Sequence, residues 1–195
     1  MSKHSLRKPG DQGDPKGYAR EKKITQYSTA WVEKDGIVSF PVLTTGITGP
    51  TWTSHFKEKN MRMTEDAQSV VWSRHFTATC GNMTNVVIIP GRMLTDKTRT
   101  TNGARSLAGR MKLSKPSLEL ACIIRKEFDD DHFYAMGVGP IIVMHRPVLD
   151  RDGYPCMLAI DTILGGCIHT VTDVGDYIHP VGAGFVFVES IEKWV

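Results

Sequence analysis

Apolar positions cluster in short runs separated by turn residues, and most of these runs are too brief for long helices. Tyr27–Val32 and Gly36–Leu43 alternate and are rich in β-formers, with Asp35-Gly36 between them as a two-residue hairpin signal. Thr44–Pro50 is turn-rich. Residues 54–68 are polar with Met61 and Met63 and predict one short helix. Strands are expected at Ser69–Trp72, His75–Thr79 and Asn85–Ile89, with a turn at Cys80-Gly81-Asn82. Residues 95–117 read as a long exposed basic loop with one helical turn at 104–111. Leu118–Arg125 is apolar enough to be a buried strand. Further strands are expected at Val138–Met144, Cys156–Ile160, Ile163–Thr172 and Gly182–Val188, with turns at Asp129–Asp131 and Asp150–Gly153, and a terminal helix over Glu189–Val195. Many short strands at close spacing predict an all-β barrel or sandwich. No repeat of fixed period is present.

Composition narrows this only a little. The 195 residues are 41% hydrophobic and 23% charged, enough for a sizeable core. No apolar run reaches the length that spans a bilayer, and the start lacks a signal-peptide core, so a cytosolic chain is expected. The four cysteines, at 80, 122, 156 and 167, lack zinc spacing and are expected as reduced thiols. No metal or cofactor is expected. The acidic turn before His132 lacks the ligand pattern of a calcium loop.

Net charge is +3, but residues 1–23 carry seven Lys/Arg against three Asp/Glu, or 7 − 3 = +4. With Gly and Pro throughout and no periodicity, 1–23 reads as a disordered basic arm. Together with Lys97, Arg99, Arg105 and Arg110 in the 95–115 loop it forms a candidate phosphate-contacting surface for RNA.

The candidate chemistry centres on Cys156, which follows the turn Asp152-Gly153-Tyr154-Pro155 and enters an apolar strand. A thiol nucleophile needs a base, a group to orient that base, and amides for the oxyanion. Two segments offer a base: Val70–His75, with Asp96 21 residues further on, and Asn85–Arg92, followed by Glu119. His145 follows an apolar strand and nothing in the sequence places it near a site.

Asn85–Arg92, Leu118-Glu119-Leu120, Cys156, Ile163–His169 and Gly182-Ala183-Gly184 resemble successive segments of picornavirus-type chymotrypsin-like cysteine proteases, over about residues 70–190. The resemblance implies a two-barrel fold, approximately 24–116 and 117–195, and cleavage of a peptide or polyprotein in a host cytosol. It also implies that His169 reads the residue before the scissile bond and that Gly184 lines that pocket. In this register the base position holds Arg92, which stays protonated. The His75, Asp96, Cys156 register supplies a base in chymotrypsin order, with Glu119 as the alternative to Asp96. Ile163–Val174 also resembles a C-terminal strand of poxins, protease-like nucleases of cyclic GMP-AMP. That implies a histidine, tyrosine and lysine trio, for which His4 is the only histidine considered. A third possibility is a protease-like domain that binds RNA or protein without catalysis.

Overall fold

The computed structural model describes residues 30–162 and 166–189; the basic arm and the terminal helix expectation fall outside them. The fold is not all-β and not a pair of barrels. Among the described residues, ten strands form one open, mixed sheet, and five helices cover it.

In chain order the elements are β1 (Val32–Lys34), β2 (Ile37–Thr45), α1 (Gly49–Glu58), β3 (Arg62–Met63), α2 (Glu65–Val71), β4 (Cys80–Pro90), α3 (Thr101–Arg110) and β5 (Leu113–Ser114). There follow α4 (Glu119–Glu127), α5 (Asp130–Met136), β6 (Ile141–Val143), β7 (Val148–Leu149), β8 (Pro155–Asp161), β9 (Cys167–Thr172) and β10 (Gly184–Glu189). The sheet order is β1-β2-β4-β10-β6-β8-β9-β3, with β5 on β10 and β7 on β8. β10 pairs parallel to β6, and β3 parallel to β9; the other pairs are antiparallel. Because β10 lies between β4 and β6, both halves of the chain build the same sheet, which rules out a barrel on each side of residue 116.

Alternation along the central strands feeds two cores. Val86, Ile88, Ile141, Val143, Leu158, Ile160 and Val186 face α1, α2, α4 and α5. Ile89, Ile142, Met157, Ala159, Phe185 and Phe187 face α3. A strand covered on both faces has no polar side, so its apolar run is continuous rather than alternating.

The helices have local causes. Thr64 caps α2 by accepting from the Ala67 amide at 3.2 Å, Glu65 and Asp66 occupy the first turn, and Ala67, Val70 and Val71 are buried at helical spacing. The segment expected as strand Ser69–Trp72 is therefore the end of a capped helix. Thr100 caps α3 through the Gly103 amide at 3.0 Å, and Ala104 and Ala108 pack one turn apart inside the expected 95–117 loop. Leu118–Arg125 is mostly helix: every residue of α4 from Glu119 to Arg125 is buried, the charged Glu119 and Arg125 included, so it has no exposed polar face over that stretch. Asp129–Asp131 is not a bare turn but the start of α5, where the Asp129 carboxylate accepts from the His132 amide at 3.0 Å. His75–Thr79 is irregular.

The hairpin signal at Asp35-Gly36 is realised, with both residues at positive φ (53° and 78°) and the register Lys34↔Ile37. That register turns the backbone of Ile37, Ser39, Pro41 and Leu43 toward the β1 side. Pro41 thus sits where its missing N–H costs β4 nothing and blunts the outer side of β2. Among the described residues, no helix is long and apolar enough to cross a membrane.

Candidate functional site

β6 and β7 occupy the same lane beside β8. β6 pairs with Ala159 and Ile160, and β7 with Pro155 and Cys156. Between them Met144–Pro147 leaves the ladder. The hole is filled by a side chain: the Leu158 amide donates to His145 Nε2 at 2.9 Å. The other ring nitrogen, Nδ1, lies 2.7 Å from the Arg146 carbonyl. A carbonyl only accepts, so Nδ1 carries the proton and the imidazole is neutral. Burial is the main cause that pulls His145 down to about 4, against the bond to Arg146, with Arg105 lowering it further and Asp173 raising it.

The excursion builds one wall of a cavity of about 460 Å³ at the carboxyl end of β6. Residues 75–77 and 116–118 supply the others. His75, Thr77, Ser117 and Arg146 make its polar lining with His145, and Pro116, Leu118, Pro147 and Val148 its apolar lining. Among the described residues no carboxylate lines it. Arg146 is exposed and makes no ion pair among the described residues. Glu119, fully buried and outside this lining, accepts through Oε2 from the Thr79 amide at 3.0 Å and the Thr79 hydroxyl at 2.9 Å. This ties the first turn of α4 to the segment carrying His75 and Thr77.

The other candidates fall elsewhere. Cys156 lies in β8 with no exposed surface, in the core beneath the α1, α2, α4 and α5 layer. Burial pushes its thiol up to about 11, helped by the Asp150 and Asp66 carboxylates. Asp96 pairs with Arg99 at 2.7 Å. No hydrogen bond or ion pair among the described residues joins any two of His75, Asp96 and Cys156, and only His75 lines the cavity. Glu119, the alternative acid, is committed to Thr79. His169 donates from Nδ1 to its neighbour's carbonyl, Thr170, at 3.1 Å. Ile168 O is taken by the Thr64 amide and Thr172 O by the Val174 amide, so the carbonyls on the outer side of β9 are sealed in turn. Gly184 is a packing position: a Cβ there would stand 2.8 Å from Ile88 Cγ2 and 3.1 Å from Ile141 Cδ1.

The basic set divides. Arg99 donates from Nε to the His179 carbonyl at 2.8 Å, and Arg105 forks onto Asp173 at 3.0 and 3.1 Å, so both are structural. Lys97 and Arg110 stay exposed, Arg110 donating to Ser106 Oγ at 3.0 Å. Arg92 holds the Gly137 carbonyl at 2.9 Å. Among the described residues no cluster of three or more His, Cys, Asp or Glu side chains is placed to hold a metal.

Arg146, Thr77 and Ser117 were missed by reading the sequence. Arg146 alone has a linear signal, the His-Arg-Pro that ends an apolar run, where proline stops strand pairing. No family model, no curated protein and no solved structure matches this chain.

Proposed function

We propose that the protein binds a small phosphate-bearing molecule in the cavity beneath Arg146. The observation that carries this reading is Arg146, exposed and without an ion pair among the described residues, on the wall of a concave site that no carboxylate of the described residues lines. Such a site has a positive local potential, and a guanidinium fork matches phosphate oxygens in plane and spacing. His75 adds a second nitrogen donor, and the Thr77 and Ser117 hydroxyls adapt as donors. Pro116, Leu118, Pro147 and Val148 would take an apolar portion of the ligand. The volume of about 460 Å³ is typical of small-molecule sites. The place also fits, since loops beyond the carboxyl ends of parallel strands are the usual ligand crevice of open sheets.

Phenyl phosphate carries both features and serves as the probe. In calorimetric or NMR titration at low salt it should bind more tightly than phenol, which lacks the charge. Arg146→Ala should weaken it about tenfold, the size of a lost charge-assisted hydrogen bond, and His75→Ala by less. Equal affinity of wild type and Arg146→Ala for phenyl phosphate, or no binding by wild type, would reject this function.

A further inference from the structure

We infer that His145 is a positioning residue for that cavity: its Nδ1–H, held on the Arg146 carbonyl, fixes the backbone from which the Arg146 guanidinium reaches the ligand. The inference rests on the phosphate-binding reading. Repair of the ladder at Leu158 requires only an acceptor at Nε2. The second bond, 2.7 Å to the Arg146 carbonyl, is not needed for that repair.

Its effect falls on one peptide. Pro147 has no N–H, so the Arg146–Pro147 peptide has only its carbonyl with which to hydrogen-bond, and His145 takes it. Proline also confines the residue before it to extended backbone. Arg146 is therefore fixed from both sides while its side chain stays exposed. Preorganising a long, rotamer-rich side chain in this way lowers the ordering cost of binding. The imidazole itself is anchored from below. It is 1% exposed, its Nε2 is tied to β8, and the charges acting on it from neighbouring elements are Arg105 of α3 and Asp173 after β9.

Two substitutions separate the bonds. His145→Gln keeps an acceptor near Nε2 and loses the Nδ1 donor. His145→Asn keeps a donor near Nδ1 and loses the Leu158 acceptor. Phenyl phosphate affinity and thermal midpoint are measured for both. Positioning predicts that His145→Gln binds about tenfold more weakly at a near-wild-type midpoint, the loss expected when one oriented hydrogen bond is removed. It predicts that His145→Asn, although less stable, stays within about threefold of wild type because that bond remains. Wild-type affinity in both variants overturns the inference, as does affinity that simply follows the midpoint, with Asn weaker than Gln. If the Gln variant does not fold, the wild-type protein answers: the His145 Nδ1–H proton resonance should shift on saturation with phenyl phosphate, and an unmoved resonance overturns the inference. Wild type that does not bind phenyl phosphate removes the cavity reading and this one together. Binding that Arg146→Ala weakens but neither His145 variant alters removes this one alone.

Discussion

Alkylation of the native protein at pH 8 will label Cys80 quickly and leave Cys156 and Cys122 unmodified until the chain opens. Cys80 is exposed, whereas Cys122 and Cys156 are fully buried. An ordinary thiol is roughly one-quarter thiolate at pH 8, but one raised to about 11 is thiolate in only about one molecule in a thousand. A more basic thiolate attacks faster, which recovers roughly tenfold of that deficit. Lack of access then adds the free energy of local opening. Together these place Cys156 roughly a hundredfold or more behind Cys80, read by mass spectrometry of quenched time points. Cys167, partly exposed and also raised by burial, should fall between them. This experiment bears directly on catalysis, because a cysteine nucleophile must meet both substrate and base. Labelling of Cys156 as fast as Cys80 would restore the cysteine-hydrolase reading.

The contrast between an expected nucleophile and a core thiol shows where linear reading stops. Asp35-Gly36, the Asn85–Ile89 run and the Cys156–Ile160 run were legible, because a two-residue turn and short apolar runs bounded by turn residues have local causes. α2 carried its own mark in Thr64 followed by two acids, and apolar residues three and four apart. α4 has Glu119 in its first turn and Leu120, Ile123 and Ile124 at helical spacing but no side-chain cap, and so short an apolar run reads equally as a buried strand. Reading the end of α2 and Leu118–Arg125 as strands, and α3 as a loop, turned a helix-covered sheet into an all-β chain. The protease-like order of segments then supplied a topology that the actual pairing of β10 with β4 and β6 excludes.

The candidate cavity was half visible. His75, expected as the base for Cys156 at the end of Val70–His75, lines the cavity and makes no hydrogen bond to Cys156 among the described residues. His145 closes an apolar run, and nothing local in the sequence places it at a site. Its role comes from a broken lane beside β8, which brings residue 145 against residue 158. No local pattern encodes that separation. Arg146 follows from the same break. Arg105 and Arg99 show the converse, where a basic composition suggested a nucleic-acid surface and the fold spends both guanidinia on holding the loop after β9.

Acidification from pH 7 toward pH 4 should cost the protein about 3 kcal/mol of stability through His145 alone, by the linkage of a shifted titration to folding. In the folded chain the imidazole is lowered to about 4, while the unfolded chain titrates it near the ordinary value of 6.5. Above pH 6.5 both states are neutral at this group and its full contribution is present. Between 6.5 and 4 the unfolded chain takes up a proton that the folded chain refuses, so stability falls as pH falls. The limiting slope is about 1.4 kcal/mol per pH unit. Below pH 4 the folded imidazole is protonated as well, and the loss from this group levels off. His179, also lowered by burial, adds a loss of the same sign. The Asp129 carboxylate, held low by its bonds to His132, contributes its loss only lower, in the carboxylate range. Urea unfolding at pH 7, 6, 5 and 4.5 gives the profile, and His145→Gln isolates the share of one residue. The variant should be less stable or equal at pH 7 and markedly flatter toward pH 4.5. Parallel curves for wild type and variant would mean that the imidazole is already charged in the folded protein. The Leu158 amide would then have no acceptor at Nε2 and the ladder repair would not stand, while the Nδ1–H would still donate to the Arg146 carbonyl.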